Sequence, residues 1–71
     1  MMTYTAPGYR LHHAHVVKTV AYYLRCGRKV DVARAMEIGE LMVAHPANRY
    51  ESAGAAEAAF ASRIWNSGLV R

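Results

Sequence analysis

The residues best equipped for chemistry are His12, His13 and His15, the lone cysteine Cys26, and the carboxylates Asp31, Glu37 and Glu40. His12 and His15 stand three apart, which puts two imidazoles on one side of a helix, and imidazole is a common zinc ligand. Two ligands do not make a tetrahedral site. Cys26 lies too far along the same helix, His45 belongs to a later segment, and no second pair at ligand spacing completes the set. His13 faces the apolar side of its helix and reads as a packed, hydrogen-bonded side chain. Asp31 is the only aspartate and serves as a helix cap, while Glu37 and Glu40, next to Arg34, form a solvated charged face. Acid–base catalysis needs shifted pKa values inside a cleft, and a chain of 71 residues leaves little room for one. Basic neighbours favour a Cys26 thiolate, but the negative end of the helix dipole opposes it, so an incidental cysteine is the better reading. No metal, cofactor or enzymatic activity is expected.

The elements that would carry these side chains follow from apolar periodicity and stop signals. The central segment, residues 29–46, has Asp31 as N-cap and Pro46 as terminator, so a helix of about 31–45 is expected. At 100° per residue, Val32, Ala35, Met36, Gly39 and Val43 share one stripe with Met42 at its edge. Ile38 and Leu41 fall on the far side with Arg34 and His45. This helix is therefore apolar on two sides. A first helix of about 10–26 should end at Gly27, with Val17, Val20, Ala21 and Leu24 inward and His12, His15, Thr19 and Tyr22 outward. A third, about 49–66, has Asn48 and Glu51 as a capping pair, with Ser52 as a competing start. Its stripe is Ala53, Ala56, Phe60, Ala61 and Ile64, and Gly68 followed by Leu69 marks a Schellman end. Residues 27–30 form a tight connector, which makes the first two helices an antiparallel hairpin. Residues 1–9, with a Pro7-Gly8 turn signal and tyrosines at 4 and 9, read as a short extended arm. The expected fold is all-α, a compact three-helix domain with a short extended N-terminal arm, in which residues 1–71 form one small domain.

Composition narrows the function. A single cysteine excludes an intrachain disulfide and suits a reduced, cytoplasmic setting. There is no apolar leader and no run of the roughly 18 apolar residues that a membrane span needs. Net charge is +4, but residues 1–30 carry Arg10, Lys18, Arg25, Arg28 and Lys29 without one acid, whereas residues 31–71 carry four basic and five acidic side chains. The front half is electropositive, which favours an anionic partner, either nucleic acid or an acidic protein surface. Ala35 and Gly39 are spaced like the small residues of a helix-turn-helix. The rest of that pattern fails, because Glu40 and His45 occupy apolar positions and Pro46 falls inside the recognition helix. The third helix also has few side chains able to read bases. Weak, sequence-blind nucleic-acid contact is the most this composition implies. Apolar Ile38 and Leu41, the tyrosines and a basic rim are instead the materials of a protein interface.

The segments TAPGYRLHHAHVVKTVAYYLR and KVDVARAMEIGEL, within residues 5–41, together resemble the small transcription regulators with which lytic bacteriophages bind host RNA polymerase. The resemblance implies a non-enzymatic protein that interferes with σ-factor engagement, inhibits promoter initiation and can suppress termination in the host cytoplasm. Tyr4, Tyr9, Arg10, Lys18, Arg25, Arg28, Lys29, Ile38 and Leu41 are the expected partner-binding residues. Two other readings stand beside it, a small helical DNA-binding regulator and a phage inhibitor of another host protein such as a defence component.

Overall fold

The computed structural model describes residues 7–71. Three helices follow one another, α1 (His13–Arg25), α2 (Val32–Ala44) and α3 (Ala53–Asn66), and each packs against both others. Two antiparallel β-bridges, Tyr9 with Tyr50 and Val30 with Val70, determine their directions. The first ties the chain before α1 to the chain before α3, and the second ties the chain after α1 to the chain after α3. Helices α1 and α3 therefore run parallel, with α2 antiparallel between their ends. None of the helices is long and apolar enough to cross a membrane.

Local chemistry explains the boundaries. Both α1 and α3 end in Schellman turns, in which Gly27 and Gly68 take φ of 79° and 73°. The amides of Arg28 and Gly27 donate to the carbonyls of Tyr23 and Leu24, and those of Leu69 and Gly68 to Ile64 and Trp65. Asp31 caps α2 by accepting the Arg34 amide at 3.1 Å. Helix α1 starts three residues later than periodicity indicates, because residues 9–11 are held extended by the bridge to Tyr50. Its first turn is closed by His15, whose Nδ1 accepts the His12 amide at 3.0 Å, an arrangement that leaves the proton of the neutral ring on Nε2.

Ser52, and not Asn48, caps α3, accepting the Ala55 amide at 3.1 Å. Asn48 is 1% exposed and does something else. Its Oδ1 accepts the Leu11 amide at 2.6 Å, and its Nδ2 donates to the carbonyls of Leu11 and Val43, both at 3.0 Å. One side-chain amide thus extends the Tyr9–Tyr50 pairing by a rung and binds it to the end of α2. Of the arm expected over residues 1–9, residues 1–6 lie outside the described residues; the chain before α1 continues without helix to His12 and from Tyr9 onward is fastened to the bundle.

The core comprises Leu11, Val16, Val20, Ala35, Ile38, Ala56, Phe60, Ile64 and Val70. Relative to the periodicity reading, α1 is rotated. Val17 and Leu24 are exposed, while Val16 and Thr19 are buried. Thr19 tolerates burial because its hydroxyl donates to the His15 carbonyl at 2.9 Å. Gly39 selects this face. A Cβ there would stand 2.8 Å from Val16 Cγ2, closer still to Cγ1, and 3.1 Å from Phe60 Cε1, so α1 meets α2 with Val16 seated on the bare Gly39 backbone. In α2 the same contact turns Ile38 into the core and leaves Val32 exposed. The stripe expected for α3 is the one observed, with Ala56, Phe60 and Ile64 buried.

Candidate functional site

The five cations of the front half do not form one surface. Arg10 lies beside the start of α1, and Arg25, Arg28 and Lys29 lie at its end. Thirteen helical residues separate the two poles by roughly 20 Å. Lys18, midway, is answered by Glu57 of α3 at 3.3 Å. Tyr9 is exposed near Arg10, its backbone exchanging hydrogen bonds with Tyr50 at 3.0 and 2.7 Å. Tyr4 lies outside the described residues. The expected Ile38–Leu41 patch is half what the periodicity indicates. Ile38 is a core residue at 7% exposure, whereas Leu41 is 62% exposed.

The pole where α1 ends gathers more than its own three cations. The bridge of Val30 to Val70 brings in Arg71, whose backbone exchanges hydrogen bonds with Lys29 at 3.0 and 2.8 Å. Residues that exchange both bonds in an antiparallel pair sit directly opposite, with side chains on the same face, and like charges so placed repel. Trp65 of α3 completes the pole. The Arg28 guanidinium carbon lies 5.0 Å from its ring centroid and the Tyr23 ring 6.0 Å away, a cation–π arrangement that gives the guanidinium an aromatic seat. Tyr22, Leu24 and Trp65 are all large and exposed here. Asp31 is the nearest acid in sequence, and its carboxylate is engaged in capping α2. Among the described residues, Arg25, Arg28, Lys29 and Arg71 enter no ion pair. Sequence periodicity puts Trp65 at the edge of the α3 stripe but gives no sign of Arg71 at this pole, because a pairing between two segments of about three residues each is too short to show alternation.

His13, expected as a packed side chain, is instead exposed, because the rotation of α1 that buries Val16 turns it outward. The rings of His12 and His15 stack at 5.5 Å, His13 Nδ1 lies 3.5 Å from Glu40 Oε1 of α2, and His45 Nδ1 accepts the Ala47 amide at 3.0 Å in the α2–α3 link. Among the described residues no three of His, Cys, Asp and Glu converge. Cys26 is exposed next to Tyr22. Hydrogen bonding to the Cys26 thiol, followed by its charge, raises the Tyr22 phenol above its ordinary value.

Comparison finds no matching family model, no matching curated protein and no matching solved structure. Function is therefore argued from these surfaces. Two grooves add to them. One, between α1 and α3, has a volume of about 270 Å³ and contains the Lys18–Glu57 pair. The other, between α2 and α3, measures about 400 Å³ and is lined in part by Leu41.

Proposed function

We propose that this chain is a non-enzymatic regulator that binds an acidic protein surface through its basic, aromatic pole, and that the partner is the RNA polymerase of a bacterium infected by a phage. The observation that carries the reading is the gathering of Arg25, Arg28, Lys29 and Arg71 at the end of α1, none of them in an ion pair among the described residues, with Arg28 seated on Trp65. Lys29 opposite Arg71 works against the fold by itself. An anionic partner turns that repulsion into attraction, and Trp65 and Arg28 supply the residue types that dominate binding energy at protein interfaces. The choice of polymerase comes from the resemblance of residues 5–41 to phage transcription regulators. On this reading the protein interferes with σ-factor engagement, inhibits initiation and can also suppress termination.

The same cations suit a DNA phosphate backbone, which is the second reading, and salt separates the two. Phosphate-driven binding weakens steeply with salt in proportion to the number of contacts, whereas an interface with aromatic anchors loses mainly association rate. The test is to measure binding to purified core polymerase, to holoenzyme and to duplex DNA across a salt series. The quadruple change of Arg25, Arg28, Lys29 and Arg71 to Glu is measured in parallel, with circular dichroism to confirm folding. The expected result is polymerase binding that persists at physiological salt, competes with σ and is abolished by the quadruple change, with only salt-labile, sequence-blind binding to DNA. Nanomolar affinity for a defined DNA site without polymerase binding would replace this reading by a DNA-binding regulator. Binding to neither would point to another host protein, such as a defence component.

A further inference from the structure

The groove between α2 and α3 lies on a different side of α3 from the Trp65–Tyr23 contact, and it differs from the rest of the surface in chemistry. Ile38, Leu41, Met42 and Tyr50 line it together with Arg34 and Arg63, Ile38 buried and Leu41 62% exposed. None of the residues lining it is acidic. Arg34 is shared with Glu37, but Arg63 enters no ion pair among the described residues. The groove between α1 and α3, by contrast, contains its own neutralising carboxylate, Glu57.

We propose that the α2–α3 groove is a second binding site, which takes an amphipathic segment of a protein partner carrying an apolar anchor beside a carboxylate. The anchor fills the space between Leu41, Met42 and Tyr50, and the carboxylate meets Arg63. The site is preformed, because Asn48 hydrogen-bonds the Val43 carbonyl at the end of α2 and holds the link to Tyr50 in place, so little ordering entropy is lost on binding. A volume of about 400 Å³ accommodates one or two side chains. Charge decides among occupants. A second copy of this chain is a poor source of the anion, since Asp31 is a cap, Glu37, Glu40 and Glu57 each lie against a basic side chain, and Glu51 alone among the described residues is left over. A nucleic-acid strand would need a run of aromatic faces on which to stack, and beside Tyr50 and His45 the groove is lined by the aliphatic Ile38, Leu41 and Met42. The site does not depend on what the basic pole binds.

The probes are three synthetic amphipathic peptides with identical leucine anchors and either Glu, Gln or Lys at every polar position. Binding is followed by NMR on the full chain, and the perturbed signals are mapped to residues. The expected result is that the Glu peptide perturbs Leu41, Met42 and Tyr50, binds at least tenfold tighter than the Lys peptide, and loses tenfold or more in affinity in Leu41→Glu and in Arg63→Glu. Both substituted side chains are exposed, so the fold is kept, and amide spectra verify it. Changing Arg25, Arg28 and Lys29 to Glu should leave peptide affinity within about twofold, which separates this site from the polymerase reading. The proposal is overturned if the Glu and Lys peptides bind alike, if perturbations centre on Trp65, if none of the peptides binds at millimolar concentration, or if an oligonucleotide shifts the groove signals more than the Glu peptide does. Concentration-dependent shifts of those signals without peptide would assign the groove to a second copy and overturn it as well.

Discussion

Replacing Gly39 by alanine tests the contact on which the packing of α1 against α2 depends. Helix propensity alone favours the change by about 1 kcal/mol, since glycine is the poorest helix former after proline. Sterics oppose it. The new methyl would stand 2.8 Å from Val16 Cγ2 and 3.1 Å from Phe60 Cε1, and both neighbours are fully buried with nowhere to retreat. Overpacking of this kind costs about 1–3 kcal/mol and occasionally more, and contacts this close on two buried neighbours put it at about 2–3 kcal/mol, so Gly39→Ala should destabilise by about 1–2 kcal/mol net. A chain of 71 residues has a total stability of roughly 4–10 kcal/mol, so the loss is a sizeable fraction, readable as a drop in Tm of about 4–8 °C per kcal/mol. Urea denaturation followed by far-ultraviolet circular dichroism gives the same quantity independently. The decisive arm is the Val16→Ala background. Removing the two methyls opens the space, and Gly39→Ala should there be neutral or stabilising, a coupling of about 1–3 kcal/mol. A Gly39→Ala variant within about 0.5 kcal/mol of the parent, or an equal cost in both backgrounds, would refute the close-approach argument.

Asn48→Ala leaves the Leu11 amide and the Leu11 and Val43 carbonyls without their partner, and at about 1–3 kcal/mol for each buried group the loss should reach about 3 kcal/mol or more by chemical denaturation. Asn48→Asp keeps an acceptor for the Leu11 amide but sets a buried carboxylate oxygen against the Leu11 and Val43 carbonyls, so at neutral pH it should cost at least as much as alanine, and a smaller cost would contradict the two-donor role. Leu41→Ala should change stability by no more than about 0.5 kcal/mol, because the side chain is 62% exposed; a loss of 2 kcal/mol would mean that it is covered in the free protein. Tyr22 should keep its phenolic proton to higher pH than an isolated tyrosine, because the Cys26 thiol raises it. Ultraviolet titration of Cys26→Ala should therefore show a tyrosine transition shifted to lower pH, and an unchanged curve would remove Cys26 as the cause.

What was legible in the sequence was mostly what is local. Gly27 and Gly68 announce the ends of α1 and α3, Asp31 starts α2, and the alanine-rich stripe around Phe60 has only one apolar side to bury. Helix α1 was ambiguous because two apolar stripes overlap in it, Val16 with Val20 and Val17 with Ala21 and Leu24. The choice between them is made by Gly39, a residue on another helix. Asn48 precedes a helix at plausible cap spacing, and only the three-dimensional position of Leu11 shows that its amide is spent elsewhere. The basic pole was visible as a cluster at the end of α1, but its completion by Arg71 and Trp65 needed the bridge between Val30 and Val70. Ile38 and Leu41 were grouped by periodicity, and the tilt that buries one and exposes the other is again set by Val16 on Gly39.

The two bridges and the Asn48 amide also bear on how the chain reaches its native state. Leu11 and Asn48 are 37 positions apart, and both bridges join segments separated by a similar span. Closing loops of that length has an entropic cost that no single short contact offsets. Neither clasp can form until the helices between its partners have already docked, and α2 lies inside both loops. The helices should therefore collapse first, with the clasps closing late, after the rate-limiting step. Weakening a clasp would then speed unfolding while leaving the folding rate nearly unchanged. On this view the ends of the chain act as latches on residence time in the folded state, and they govern how long the basic pole, half of which is built from the final latch, persists as a binding surface.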